Sequence, residues 1–195
     1  SRLKGRLAKE GAYCPVFLMH SGGGIISLEN AAEFPVRLVE SGPAGGAVFA
    51  AHIAASHGLD RALSFDMGGT TAKICLVKDH TPKTARTFEV ARTYRFKKGS
   101  GMPISIPVID MVEIGAGGGS LAHVDSLGQI RVGPESAGSQ PGPACYGRGG
   151  TAPTVTDSDL ILGKLDPAGF AGGSIPLYTE RATQALDIHT VSYTH

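Results

Sequence analysis

The chain has 195 residues, with 18 Lys and Arg against 17 Asp and Glu, a near-neutral balance that excludes affinity for nucleic acid through bulk charge. Hydrophobic residues make up 42% and charged residues 18%, which excludes a disordered tail and suffices for one ordinary domain with a core. No apolar run reaches the roughly 18 residues of a membrane span, and Cys14, Cys75 and Cys145 are too scattered for a disulfide framework or a zinc ribbon, so a cytoplasmic location is expected.

The elements follow in chain order. Residues 1–11 read as a helix with Leu3, Leu7 and Ala8 on one face and Gly11 as its stop. It opens without a cap, so the chain is expected to be cut from something longer. A strand at Pro15–Met19 runs into Ser21-Gly22-Gly23-Gly24. A short helix near Leu28–Glu33 and a strand at Val36–Val39 come next. That strand is expected to end in the turn Ser41-Gly42-Pro43-Ala44-Gly45-Gly46, with a small-residue helix over Ala47–His57 able to pack closely on a sheet. Strands at Ala62–Phe65 and Ala72–Val77 flank Asp66-Met67-Gly68-Gly69-Thr70-Thr71, a hairpin with glycine at its tip.

A third strand is expected at Thr87–Tyr94, then a link containing Lys97 and Lys98. Val108–Ile114 is an apolar strand or short helix running into Gly115-Ala116-Gly117-Gly118-Gly119. Leu121–Val124 and Gln129–Val132 pair around Asp125-Ser126-Leu127-Gly128. Gly133–Pro153 reads as a long loop. Thr156, followed by Asp157 and Asp159, is expected to cap a helix closed by Gly163, and a last helix runs from Thr179 to Leu186. Residues 188–195 follow no pattern of what precedes them and read as a non-native tail.

Glycine stands out at 28 residues, about twice the usual ~7%, and its clusters suggest phosphate chemistry. A turn without Cβ atoms lets successive N–H groups converge on an anion. Thr70 and Thr71 add hydroxyl donors, Lys73 a counter-charge, and Asp66 a carboxylate to hold Mg2+ through water. The same spacing also suits a tight turn around a buried, backbone-satisfied Asp66. There is no G-x-x-x-x-G-K-[ST], since Gly163-Lys164 is followed by Leu165, and no G-x-G-x-x-G with its distant acid. Other candidates carry structural alternatives: Cys145 as a nucleophile or a core thiol, His123 and Asp125 as a base pair or a solvated strand face. Asp110 and Glu113 are candidate acids, and Arg148 a candidate carboxylate clamp.

The hairpin resembles the phosphate loop of the sugar-kinase, chaperone and actin superfamily. Four further motifs occur in order: Ser41–Gly46, Ile114–Ser120, Val132–Gly138, and Pro141–Gly150 continuing through Pro153-Thr154-Val155-Thr156-Asp157. Together they resemble subunit or domain A of the hydantoinase/oxoprolinase family, from about residue 3 to residue 187. The resemblance implies an α/β, ribonuclease-H-like, actin-like ATPase domain over 1–187, lacking an N-terminal lobe that carries a first phosphate loop. It implies ATP and Mg2+ as cofactors and an ATP-dependent amidohydrolase that opens a cyclic amide through a phosphorylated intermediate. The alternatives are a subunit of an ATP-dependent ketone carboxylase and a non-catalytic actin-like nucleotide-binding module. A hydantoinase B-type subunit or domain and an oligomeric full-length form are the implied partners.

Residue by residue, the resemblance implies a catalytic and metal-holding Asp66, a phosphate cradle of Gly68, Gly69, Thr70 and Thr71, and an adenosine loop of Gly115, Gly117, Gly118 and Gly119. There a side chain would take the space of base or ribose; tight packing of the loop is the other explanation. One position departs from the family, which usually carries an acid where this chain has Lys73. The lysine then meets phosphate or lies on the strand surface.

Overall fold

The structure is a computed structural model describing residues 2–90 and 99–190. The chain divides into two compact units, Ser1–Asp66 with Lys73–Val112, and Met67–Ala72 with Glu113–His195.

In the first unit, α1 (Arg2–Lys9) is followed by a hairpin of β1 (Phe17–Met19) and β2 (Ile25–Ser27). The sequence reading missed β2, because three residues give too short a period to register. Ser27 caps α2 (Leu28–Glu33) by accepting from Asn30 N–H. The strand expected at Val36–Val39 is instead a 3-10 helix, Pro35–Leu38. Pro35 presets a helical φ at its first position, and the Arg37 carbonyl accepts from both Ser21 N–H and Ser21 Oγ. Nor is Ser41–Gly46 a turn: it forms the opening of α3 (Ser41–Ser56), entered through Glu40 in a left-handed conformation with φ 63°.

Helix α3 buries Ala44, Ala47, Ala51 and Ala54, spaced three and four residues apart on one face. Small side chains let it pack closely, as expected. Ala44 and Ala47 join Cys75 and Ile109 in a core that Met111 flanks. Strand β3 (Arg61–Met67) lies beside β4 (Ala72–Lys78), and β5 (Thr81–Pro82) pairs antiparallel with β4. β6 (Thr84–Ala85) pairs with β9 (Val108–Ile109), and β7 (Phe88–Val90) with β8 (Met102–Ile104). The strand expected at Thr87–Tyr94 is seen as β7; its remainder, with Lys97 and Lys98, lies outside the described residues. The run Val108–Ile114 divides into β9 and β10 (Val112–Ile114).

In the second unit, β11 (Ser120–Val124) and β12 (Ile130–Ser136) form an antiparallel pair, with a register shift between Ser120 and Ala122. β12 therefore takes in Gly133–Ser136, which reads as loop in the sequence. The Asp125 carboxylate organises the intervening turn, accepting from Leu127 N–H, Gln129 N–H and Arg131 Nε.

Helix α4 (Val155–Ile161) is capped by Thr154 rather than Thr156, in a capping box with Asp157. Helix α5 (Thr179–Thr190) runs past its expected end at Leu186, into the segment read as a non-native tail. The core of this unit gathers Cys145, Leu160, Leu177 and Ala182, with Tyr146, Leu165, Phe170 and Ile175 around them. Among the described residues, no helix is long and apolar enough to cross a membrane.

Candidate functional site

The glycine tip is closed by one internal hydrogen bond, from Gly68 N–H to the Thr71 carbonyl at 2.9 Å. The loop Gly115–Gly119, from the same unit, packs directly on it. Gly118 N–H donates to the Gly68 carbonyl at 2.9 Å, and Gly119 N–H donates to the Gly69 carbonyl at 2.7 Å. The trans peptide is planar, so the C=O of one residue and the N–H of the next point in opposite directions. Anchoring the Gly68 and Gly69 carbonyls on the loop therefore turns the Gly69 and Thr70 N–H groups away from it. Among the described residues, the N–H groups of Gly69, Thr70 and Thr71 have no protein acceptor, and neither threonine hydroxyl has a partner. Gly68, Gly69 and Thr70 are exposed.

The tip is not a turn whose amides are spent on protein. The Gly68 and Gly69 carbonyls are satisfied by the loop, while the N–H groups of Gly69, Thr70 and Thr71 take no protein acceptor among the described residues. Asp66, half-buried at the end of β3, has no hydrogen-bond or ion-pair partner among the described residues, so it is not the backbone-satisfied carboxylate of the other reading.

Lys73 is engaged. Its ammonium pairs with the Glu40 carboxylate, and its side chain is only 16% exposed. A phosphate would have to compete with that carboxylate. The pair joins β4 to Glu40, the residue before α3, whose side chain makes no capping hydrogen bond to that helix.

The glycines of the second loop have neighbours made of protein. A Cβ on Gly117 would lie 2.6 Å from backbone atoms of Thr70 and Thr71. On Gly118 it would lie 2.8 Å from Thr156 Oγ1, and on Gly119 2.9 Å from both the Gly69 carbonyl and Ser136 Oγ. Tight packing is thus sufficient reason for glycine here, and the space assigned to base or ribose by the resemblance is held by the hairpin itself. Gly115 is buried, and its carbonyl faces Gly133.

Behind the loop stands a buried hydrogen-bond network that the sequence reading did not find. Thr156 donates to the Gly118 carbonyl through both its N–H and its Oγ1, each at 2.8 Å. Asp157, with no exposed surface, accepts from Cys145 N–H at 2.8 Å, Ala144 N–H at 3.3 Å, Thr154 N–H at 2.9 Å and Thr154 Oγ1 at 2.8 Å. The signal was the capping-box spacing Thr154-x-x-Asp157, displaced by reading Thr156 as the cap. Cys145 belongs to this network: burial, and then its hydrogen bond with Asp157, pushes its thiol far above the ordinary range, so it is a core thiol rather than a nucleophile.

The remaining candidates are structural or solvated. Asp125 is held below the usual carboxylate range by its hydrogen bond with Arg131 and by backbone donors; it organises a turn. His123 is exposed on β11, and Glu113 is exposed too. Asp110 pairs with Lys83 at 2.7 Å, which raises the lysine. Arg148 lies over the Tyr146 ring at 5.8 Å. An open depression along α5, lined by Thr179, Thr183 and Asp187, holds none of the predicted site residues. Among the described residues no group of three or more His, Cys, Asp or Glu could hold a metal ion. Asp66 alone therefore fits a magnesium ion only as one ligand, beside waters and phosphate oxygens.

A nucleotide-free structure of acetone carboxylase, studied for ATP-dependent acetone carboxylation, matches 98% of the chain with a TM-score of 0.71 at 26% identity, and is covered over 26% of its own length. The crystal structure of ATP-dependent caprolactamase from Pseudomonas jessenii matches 95% with a TM-score of 0.63 at 35% identity, again covered over 26%. The fold is thus mixed α/β, of the actin-like ATPase type. The hydantoinase/oxoprolinase family model matches residues 1–190, and the chain belongs to that family. In sequence it is 39% identical to the caprolactamase alpha subunit of P. jessenii over 90% of the chain and 24% of that protein. It is 33% identical to the acetophenone carboxylase gamma subunit of Aromatoleum aromaticum over 93% of the chain and 24% of that protein. The chain therefore spans about a quarter of the length of these relatives.

Proposed function

We propose that this chain supplies a phosphate-gripping part of the ATP site in an enzyme that activates a cyclic amide by phosphorylation and hydrolyses it. The observation that carries this reading is that the N–H groups of Gly69, Thr70 and Thr71 and both threonine hydroxyls have no acceptor or partner among the described residues, at a tip where Gly69 and Thr70 are exposed. Such donors stabilise polyphosphate charge without side-chain reorganisation. Gly68 closes the tip through its N–H bond to the Thr71 carbonyl, and Asp66 shares in holding Mg2+ through water. Gly115, Gly117, Gly118 and Gly119 contribute by supporting the hairpin from behind. Lys73 reaches phosphate only by leaving Glu40.

ATP would supply the phosphoryl group that turns an amide oxygen into a leaving group; this chain's part is to position and neutralise the phosphates. The similarity to a caprolactamase supports a cyclic amide. A second reading, a ketone carboxylase subunit, is favoured by the resemblance to acetophenone and acetone carboxylases. Partner subunits fit either reading, since these relatives are themselves subunits. A test is phosphate release by the full-length protein with lactams, hydantoins or 5-oxoproline, against ketone plus bicarbonate. Release coupled to a cyclic amide supports the first reading, and release only with ketone and bicarbonate replaces it by the second. Release with neither, together with filaments that pellet with ATP alone, would replace both by an assembling module.

A further inference from the structure

We propose that Thr156 is a positioning residue for the phosphate grip: through Gly118 it fixes the direction in which the Gly69 and Thr70 amides point. The inference rests on the reading that this hairpin binds phosphate, and goes beyond it by assigning a role to a residue remote from the anion in sequence.

Thr156 N–H and Oγ1 both hold the Gly118 carbonyl at 2.8 Å, and Thr156 is 7% exposed, so water does not replace these bonds freely. Gly118 N–H in turn holds the Gly68 carbonyl, and Gly119 N–H the Gly69 carbonyl. The Gly119 carbonyl is itself taken by Ala137 N–H at 2.8 Å, so the loop is pinned at two successive carbonyls. Glycine has the widest backbone freedom of any residue, and a loop with Gly117, Gly118 and Gly119 in a row keeps one conformation only if something outside it imposes one. Thr156 supplies that constraint, and Asp157 holds the start of α4 in place through Thr154.

The test compares Thr156→Val, which keeps shape but loses the hydroxyl, with Thr156→Ser, which keeps the hydroxyl. Amide hydrogen exchange is read on the full-length protein without ligand, and the amide resonances of Gly69–Thr71 are followed during titration with tripolyphosphate. Loss of one net hydrogen bond corresponds to about five- to tenfold faster exchange at Gly118 and Gly119 in Thr156→Val, with the Leu160 and Ala182 amides unchanged. The valine variant is also expected to bind tripolyphosphate several-fold more weakly, and serine to restore both properties. Unchanged exchange at Gly118 and Gly119 in the valine variant would overturn the role of Thr156 while leaving the phosphate reading intact. So would failure of serine to rescue, or an equal rise in exchange throughout the core. No response of Gly69–Thr71 to tripolyphosphate in the unaltered chain would instead overturn the phosphate reading, and this inference with it.

Discussion

Adding one methyl group at Gly117 should disturb the hairpin that it touches. A Cβ there would lie 2.6 Å from three backbone atoms, Thr70 N, Thr70 C and Thr71 N. Ordinary contact begins near 3.4 Å, so the two segments must separate by about 0.8 Å. Backbone cannot rotate aside as a side-chain end would. The φ of Gly117 is not in the left-handed region, so alanine meets no conformational penalty of its own and the cost is steric. Overpacking of this kind costs about 1–3 kcal/mol, offset by ~0.4–1 kcal/mol from the stiffer unfolded chain. Gly117→Ala is therefore expected to lose roughly 1–2 kcal/mol in denaturant unfolding and to move the Thr70 and Thr71 amide resonances. Gly46→Ala is the control. Its Cβ would meet nothing within 4 Å inside α3, and a gain of about 0.5–1 kcal/mol is expected. Equal stability of Gly117→Ala and the unaltered chain, with unmoved resonances, would refute the packing argument.

Asp157→Asn should destabilise the chain by at least ~2 kcal/mol in the same assay, since an amide NH2 would face buried donors that now have a carboxylate acceptor. A thiol reagent should label exposed Cys14 quickly in the native chain and leave buried Cys75 and Cys145 untouched until unfolding. The sign of the pH effect follows from the same thiols. Burial raises both in the folded state, so the unfolded chain loses its protons first, and stability should fall as pH rises past the ordinary thiol value of 9.0. Denaturant midpoints that stay level between neutral pH and that range, or rise, would contradict it. For Lys73 and Glu40, Lys73→Met and Glu40→Gln should each lower stability, and the double variant should lose less than their sum, by about 1–2 kcal/mol of coupling for a half-buried pair. Tighter tripolyphosphate binding by Glu40→Gln that is lost again in the double variant with Lys73→Met would show that the freed lysine meets phosphate.

Much of the frame was legible in the sequence because it rests on local chemistry. Alternating apolar runs around Gly68-Gly69 give the β3–β4 hairpin, and the alanine spacing gives the buried face of α3. Asp125-Ser126-Leu127-Gly128 gives the turn between β11 and β12. The misreadings arise where tertiary bonds decide. Val36–Val39 has strand-like side chains, but Pro35 and the bonds from Ser21 impose a 3-10 turn. Gly42, Gly45 and Gly46 suggest a turn by composition, yet they sit within α3. At the candidate site the hairpin could be read from its motif, whereas the free state of its amides could not, because it depends on Gly118 and Gly119, some fifty residues away. The partner of Lys73 was equally hidden: nothing near it in sequence points to Glu40.

The most direct test is a crystal structure of the full-length protein with Mg2+ and a non-hydrolysable ATP analogue. The account predicts phosphate oxygens within hydrogen-bonding distance of the N–H groups of Gly69, Thr70 and Thr71, with the Gly68 and Gly69 carbonyls still held by Gly118 and Gly119. Phosphates bound elsewhere, with those three amides facing solvent or protein, would contradict it.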